Sequence, residues 1–107
     1  MEELLEKKEY LSSLYDIYKS LLTEKQRTYF EDYYFLDLSL SEIADNQSVS
    51  RNAVFDSLKN ISSLLNEYEN KLQIYKRQIK LDAIIDKHLN SEIQEVKELI
   101  EEIKEME

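Results

Sequence analysis

The sequence contains no glycine, proline, cysteine or tryptophan. Without glycine or proline, tight hairpins and kinked segments lose their usual residues, and long helices become the default. The lack of glycine also excludes a glycine-rich loop that cradles phosphate. The lack of cysteine excludes disulfides, thiolate metal sites and a cysteine nucleophile. No apolar run reaches the roughly 18 residues of a membrane-spanning helix, so no membrane insertion is expected. The first residues, MEELLEKKEY, are acidic and amphipathic, unlike a secretory signal, and a cytoplasmic location is expected. Histidine occurs once, as His88, with Asp82, Asp86 and Glu92 as its acidic neighbours in sequence. A metal site needs several convergent ligands, so His88 reads as a solvated residue near a helix end. No strand-to-helix turn is available to expose a nucleophilic serine. Neither catalysis nor a cofactor is expected.

At 107 residues the chain is expected to form one domain. Basic residues number 14 against 23 acidic ones, a formal charge of −9, which argues against a non-specific nucleic-acid binder. The distribution is more useful than the total. Between residues 71 and 88, Lys71, Lys76, Arg77, Lys80 and Lys87 stand against Asp82 and Asp86. That is the one basic block. It is followed by the most acidic segment, with Glu95, Glu98, Glu101, Glu102 and Glu105. The bland reading pairs the two blocks with each other, and the sharper one gives Lys76, Arg77 and Lys80 to RNA phosphates. Charge pairing is preferred, and it bears on orientation more than on stability.

Apolar spacing predicts a first helix over 2–21, with Leu4, Leu5, Leu11, Leu14, Ile17, Tyr18 and Leu21 on its buried side. Thr23 with Gln26 forms a capping box that opens a second helix, running to about Leu36. Its aromatic set, Tyr29, Phe30, Tyr33, Tyr34 and Phe35, covers successive faces. Most belong in the core, and one or two are expected to face solvent or a partner. Ser39 with Glu42 forms a second box and opens a short helix. Ser50 caps the next one. Val54, Leu58, Ile61, Leu65, Tyr68, Leu72, Tyr75 and Ile79 then recur at alternating steps of four and three, a heptad seam on one continuous helix over about 50–88. Ser91 with Gln94 reads as a third box, opening a last helix over about 91–106. A continuous fourth helix would be about 50 Å long. A body this small cannot cover it, so the seam is expected to be buried by the last helix folding back and by a second subunit. The alternative is a monomer closed by its own last helix.

The segment SLSEIADNQSVSRNAVFDSLK, from Ser39 to Lys59, has the pattern of a helix-turn-helix, placed at 39–60. Leu40 and Ile43 point to the core, Ala44 is small where the second helix crosses, Val49 plugs the corner and Ser50 caps the second helix. Val54 and Leu58 dock that helix. Ser50, Arg51, Asn52, Phe55, Asp56 and Lys59 are left on the outward face, where a recognition helix reaches bases and phosphates. Arg51 suits guanine or phosphate, Asn52 suits adenine, and Lys59 suits a phosphate. Phe55 and Asp56 fit a protein partner, or an unpaired base, at least as well as duplex DNA. Ser48 stands where many such corners carry glycine, and left-handed backbone there costs about 1 kcal/mol.

The run LLTEKQRTYFEDYYFLDLSLSEIADNQSVSRNAVFDSLKNISSLLNEYENKL resembles the YlxM family, small helix-turn-helix proteins similar to the fourth, promoter-reading region of bacterial sigma factors. The likeness extends over nearly the whole chain and departs at Gln47 and Ser48. It implies an all-α fold: a small helical domain with a sigma-region-four-like helix-turn-helix, a long extended fourth helix and a C-terminal helix. It also implies an accessory or regulatory role in the signal recognition particle pathway, whose machinery targets nascent membrane proteins. On this reading the partners are nucleic acid, RNA or DNA, or a protein component of the particle, bound by a homodimer through Arg51, Asn52, Phe55, Lys59 and the patch near Lys76–Lys80. Two other readings stand beside it. One is a dimeric DNA-binding transcriptional regulator. The other is an interaction scaffold in which the helix-turn-helix is a relic, since fold does not fix function.

Overall fold

Hydroxyl side chains mark where the first helices of the body begin. In the computed structural model, which describes residues 2–107 and their side chains from Lys7 onward, Thr23 Oγ1 accepts from the Gln26 backbone N–H at 3.1 Å. The Gln26 side chain accepts from the Thr23 N–H at 2.9 Å in return. Ser39 and Glu42 repeat this exchange, both bonds at 3.1 Å. Each box satisfies two backbone donors that a helix start leaves open, and losing a cap costs about 1 kcal/mol. The resulting order is α1 (Glu2–Tyr18), a 3-10 turn (Lys19–Leu21), α2 (Glu24–Tyr34), α3 (Leu40–Gln47), α4 (Arg51–Leu72), α5 (Ile74–His88) and α6 (Gln94–Glu105). The fold is all-α, as expected. The chain divides into two compact units, Met1–Gln73 and Ile74–Glu107.

In the first unit α4 packs on α1, α2 and α3. Its apolar stripe Val54, Leu58, Ile61 and Leu65 is buried, and so are Leu11, Leu14, Tyr15 and Tyr18 of α1, Phe30 of α2 and Ile43 of α3. Each large side chain taken fully out of water contributes about 1.5–3 kcal/mol. Leu4 and Leu5, expected on the same face of α1, lie outside the described side chains. An aromatic column runs through this core. Tyr15 stacks on Phe30 at 4.3 Å between ring centroids, Phe30 stacks on Tyr34 at 4.4 Å, and Tyr33 meets Tyr34 edge-on at 5.0 Å. The Tyr15 hydroxyl donates to Glu31 at 2.8 Å. Burial first, and that bond second, push its ionisation well above the ordinary tyrosine range. Far along α4, the carboxylate of Glu69 is buried and accepts from the Tyr18 hydroxyl at 2.6 Å, a bond spanning 51 residues.

The continuous helix expected over about 50–88 is two helices. Gln73 adopts left-handed backbone, φ 55 and ψ 32, and its N–H closes α4 on the Glu69 carbonyl at 2.8 Å. A left-handed residue cannot sit inside a right-handed helix, so α4 ends at Leu72 after 22 residues, about 33 Å. The heptad seam divides with it. Its first half, Val54 to Leu65, is core of the first unit, whereas Leu72 and Ile79 are exposed. The third capping box is also corrected. Residue Ile93, not Ser91, is the N-cap of α6, and it makes no side-chain capping bond. Ser91 Oγ instead accepts from the Ile93 N–H at 3.2 Å, turning the chain ahead of the helix.

In the second unit Ile85 of α5 and Ile100 of α6 are buried. Gln78 on α5 donates to Asp82 at 3.0 Å and to Glu107, beyond the end of α6, at 2.8 Å. The last helix therefore returns alongside α5 within this unit. Among the described residues, no helix is long and apolar enough to cross a membrane.

Candidate nucleic-acid interface

The corner between α3 and α4 is built on one left-handed serine. Ser48 has φ 55 and ψ 45. Its N–H donates to the Asp45 carbonyl at 3.4 Å, and the next N–H, of Val49, reaches back to the Ala44 carbonyl at 3.1 Å. This pair of bonds is the Schellman closure usually made with glycine at the left-handed position. Ile43 and Ala44 are buried beside it, while Val49 and Leu40 are half-buried. Val49 is thus a partial plug for the corner. Ser50 Oγ accepts from the Ala53 N–H at 3.0 Å and starts α4, as the sequence predicts.

Val54 and Leu58 turn inward, and Arg51, Asn52, Phe55, Asp56 and Lys59 of α4 are all exposed along with the capping Ser50. Phe55 is 54% exposed, an unusual state for an aromatic ring. These residues share one helix and span two turns. Lys76, Arg77 and Lys80 belong to α5 in the other unit and are exposed there. Arg77 and Lys80 border a groove of about 430 Å³ floored by Ile74, Leu81 and Ile84.

One further part of the surface joins α4 to the aromatics of α2. Phe55 and Lys59 share a cavity of about 380 Å³ with Lys7 of α1, Tyr33 and Tyr34 of α2, Leu40 of α3, and Leu58 and Ser62 of α4. Tyr33 is 39% exposed. Burial, first of all, raises the ionisation of Tyr34, and the Ser62 hydroxyl bound to it opposes the shift. The signal in the sequence was the surplus of aromatics on α2, which could not all enter the core. Which of them lined a cavity with Lys7 depended on how α1, α2, α3 and α4 meet. Among the described residues, no group of three or more His, Cys, Asp or Glu side chains is placed to hold a metal.

A short helix, a left-handed corner and a serine-capped second helix with a polar outward face define a helix-turn-helix protein. Residues 5–106 match the UPF0122 family, helix-turn-helix proteins described as YlxM / p13 like. The chain belongs to that family. It is 44% identical over 109 aligned positions to the UPF0122 protein of Bacillus thuringiensis (strain Al Hakam), covering 94% of this chain and 99% of the relative. The UPF0122 proteins of Bacillus cereus (strain 03BB102) and Bacillus anthracis (strain A0248) are similar to the same extent.

Proposed function

We propose that this protein is a non-enzymatic accessory component of the signal recognition particle pathway, working in the cytoplasm and binding the particle's RNA through the outward face of α4. The observation that carries this reading is the Ser50-capped start of α4, which holds Arg51, Asn52, Phe55 and Lys59 in solvent on one helix. Cationic and hydrogen-bonding groups there suit phosphates and base edges, and the exposed ring suits an unstacked base. The basic residues Lys76, Arg77 and Lys80 supply a second phosphate-binding stretch. The functional form is a homodimer. The second unit leaves Ile79, Ile84, Leu89, Ile93 and Leu99 exposed, apolar surface that a second copy would cover.

A dimeric DNA-binding regulator is the second reading, favoured by Arg51 and Asn52 in the first turn of the second helix of the motif. Two such helices would need to meet successive major grooves, about 34 Å apart. The charge of −9 and the exposed Asp56 weigh against it. A fluorescence-anisotropy titration into labelled signal-recognition-particle RNA and a matched random duplex DNA separates the two. RNA binding without comparable duplex binding is expected. Tighter, sequence-dependent duplex binding that Arg51→Ala abolishes would replace the first reading with the second. Failure to bind either would move the face to a protein partner, the pathway's GTPases first.

A further inference from the structure

The cavity beside α4 has a composition at odds with the protein around it. In a chain of formal charge −9, the described residues that line it include Lys7 and Lys59 and no carboxylate. Three aromatic rings, Tyr33, Tyr34 and Phe55, line it with Leu40, Leu58 and Ser62. Phe55 and Tyr33 each keep a large part of their ring in solvent. Tyr33 also sits at the outer end of the column Tyr15–Phe30–Tyr34, which is stacked back into the core. That column and the Ser62 hydroxyl hold the Tyr34 wall in place. Its volume of about 380 Å³ falls within the size range of small-molecule sites. A ligand that is flat, aromatic and anionic matches walls of this kind: rings for its faces and ammonium groups for its charge.

We propose that this cavity is a subsite for one unpaired nucleotide of single-stranded RNA, with the base stacked against Phe55 and Tyr33 and the phosphate at Lys59 and Lys7. This deepens the RNA-binding reading and rests on it. The subsite assigns Phe55 a task that duplex readout leaves empty, because a paired base hides its faces in the stack. It also gives an acidic protein a local hold on RNA, a pair of lysines beside an aromatic wall.

The test uses the full chain and a short labelled oligoadenylate, alone or annealed to its complement. Replacing a stacking ring in single-strand binders commonly weakens binding by a factor of about ten or more. Phe55→Leu, which keeps apolar bulk and loses the ring, is expected to weaken single-strand binding about tenfold. Phe55→Trp is expected to retain it. Because the chain has no other tryptophan, its emission reports the site alone and should be quenched as the strand binds. Phe55 is exposed, so these variants should fold, and circular dichroism checks that they do. Equal affinity of wild type and Phe55→Leu, unchanged emission of Phe55→Trp at saturation, or preference for the duplex would each overturn the subsite. If the particle's RNA binds and Arg51→Ala weakens it while Phe55→Leu does not, the subsite fails and the accessory role stands. If the oligoadenylate binds through Phe55 but the particle's RNA does not bind, the role fails and the subsite stands.

Discussion

Gln73 offers a test in which two architectures predict opposite signs. In the structure it is left-handed, at φ 55, between Leu72 and Ile74. A residue with a Cβ is strained there by about 1–2 kcal/mol, and glycine is not. Glycine loses more backbone freedom on folding, by about 0.5–1 kcal/mol. Gln73→Gly should therefore be more stable than Gln73→Ala, by up to about 1 kcal/mol. In an unbroken helix over the same residues, the order reverses. Glycine would then be about 1 kcal/mol worse than alanine. The two architectures are about 1–2 kcal/mol apart on one pair of variants. Urea unfolding followed by far-ultraviolet circular dichroism resolves that gap. The same pair at Ser48, φ 55, should show the same order. A Gln73→Gly protein less stable than Gln73→Ala would refute the helix break and restore the continuous seam.

Two further outcomes follow from buried tyrosines. Tyr18→Phe removes the 2.6 Å donor to the buried Glu69 carboxylate and should lower unfolding free energy by about 1.5–3 kcal/mol, measured by urea denaturation; a loss below 0.5 kcal/mol would show the bond to be energetically idle. Tyr15 and Tyr34 both ionise above the ordinary tyrosine value of 10.0 in the folded protein. Below that pH, folded and unfolded chains hold the same phenolic protons and the contribution to stability is complete. Above it the unfolded chain gives up its protons first, so stability falls as pH rises toward the raised folded values. Thermal unfolding across this range should show that decline, and Tyr15→Phe should make it shallower; an unchanged slope would remove Tyr15 from the account.

The parts of the fold legible in the sequence are those written by local chemistry. Thr23 with Gln26, Ser39 with Glu42, and Ser50 each announce a helix start through a side-chain oxygen within reach of a backbone N–H. The stripe Val54, Leu58, Ile61 and Leu65 announces the inward face of α4, and with it the outward face of Arg51, Asn52, Phe55 and Lys59. The helix break at Gln73 carries no such mark. Neither glycine nor asparagine stands there, and the heptad spacing runs straight through it. Ser91 with Gln94 has the spacing of a box, yet the backbone becomes helical only after Ile93, so the same two residue types do not cap. Glu69 shows the opposite case. A glutamate on a long helix reads as solvated, and only the approach of Tyr18, 51 residues earlier, makes it a buried acceptor. The cavity of Lys7, Tyr33, Phe55 and Lys59 is likewise a product of four helices meeting, which no single segment encodes.

The most direct test of the central claim is the salt dependence of binding to signal-recognition-particle RNA, compared between the wild type, Arg51→Ala and Lys59→Ala. If the outward face of α4 holds RNA phosphates, log affinity falls linearly with log salt concentration. Each substitution should then reduce the magnitude of that slope by about one unit. Binding with the same slope in all three proteins would place the contact elsewhere, and no binding to the RNA at low salt would contradict the account altogether.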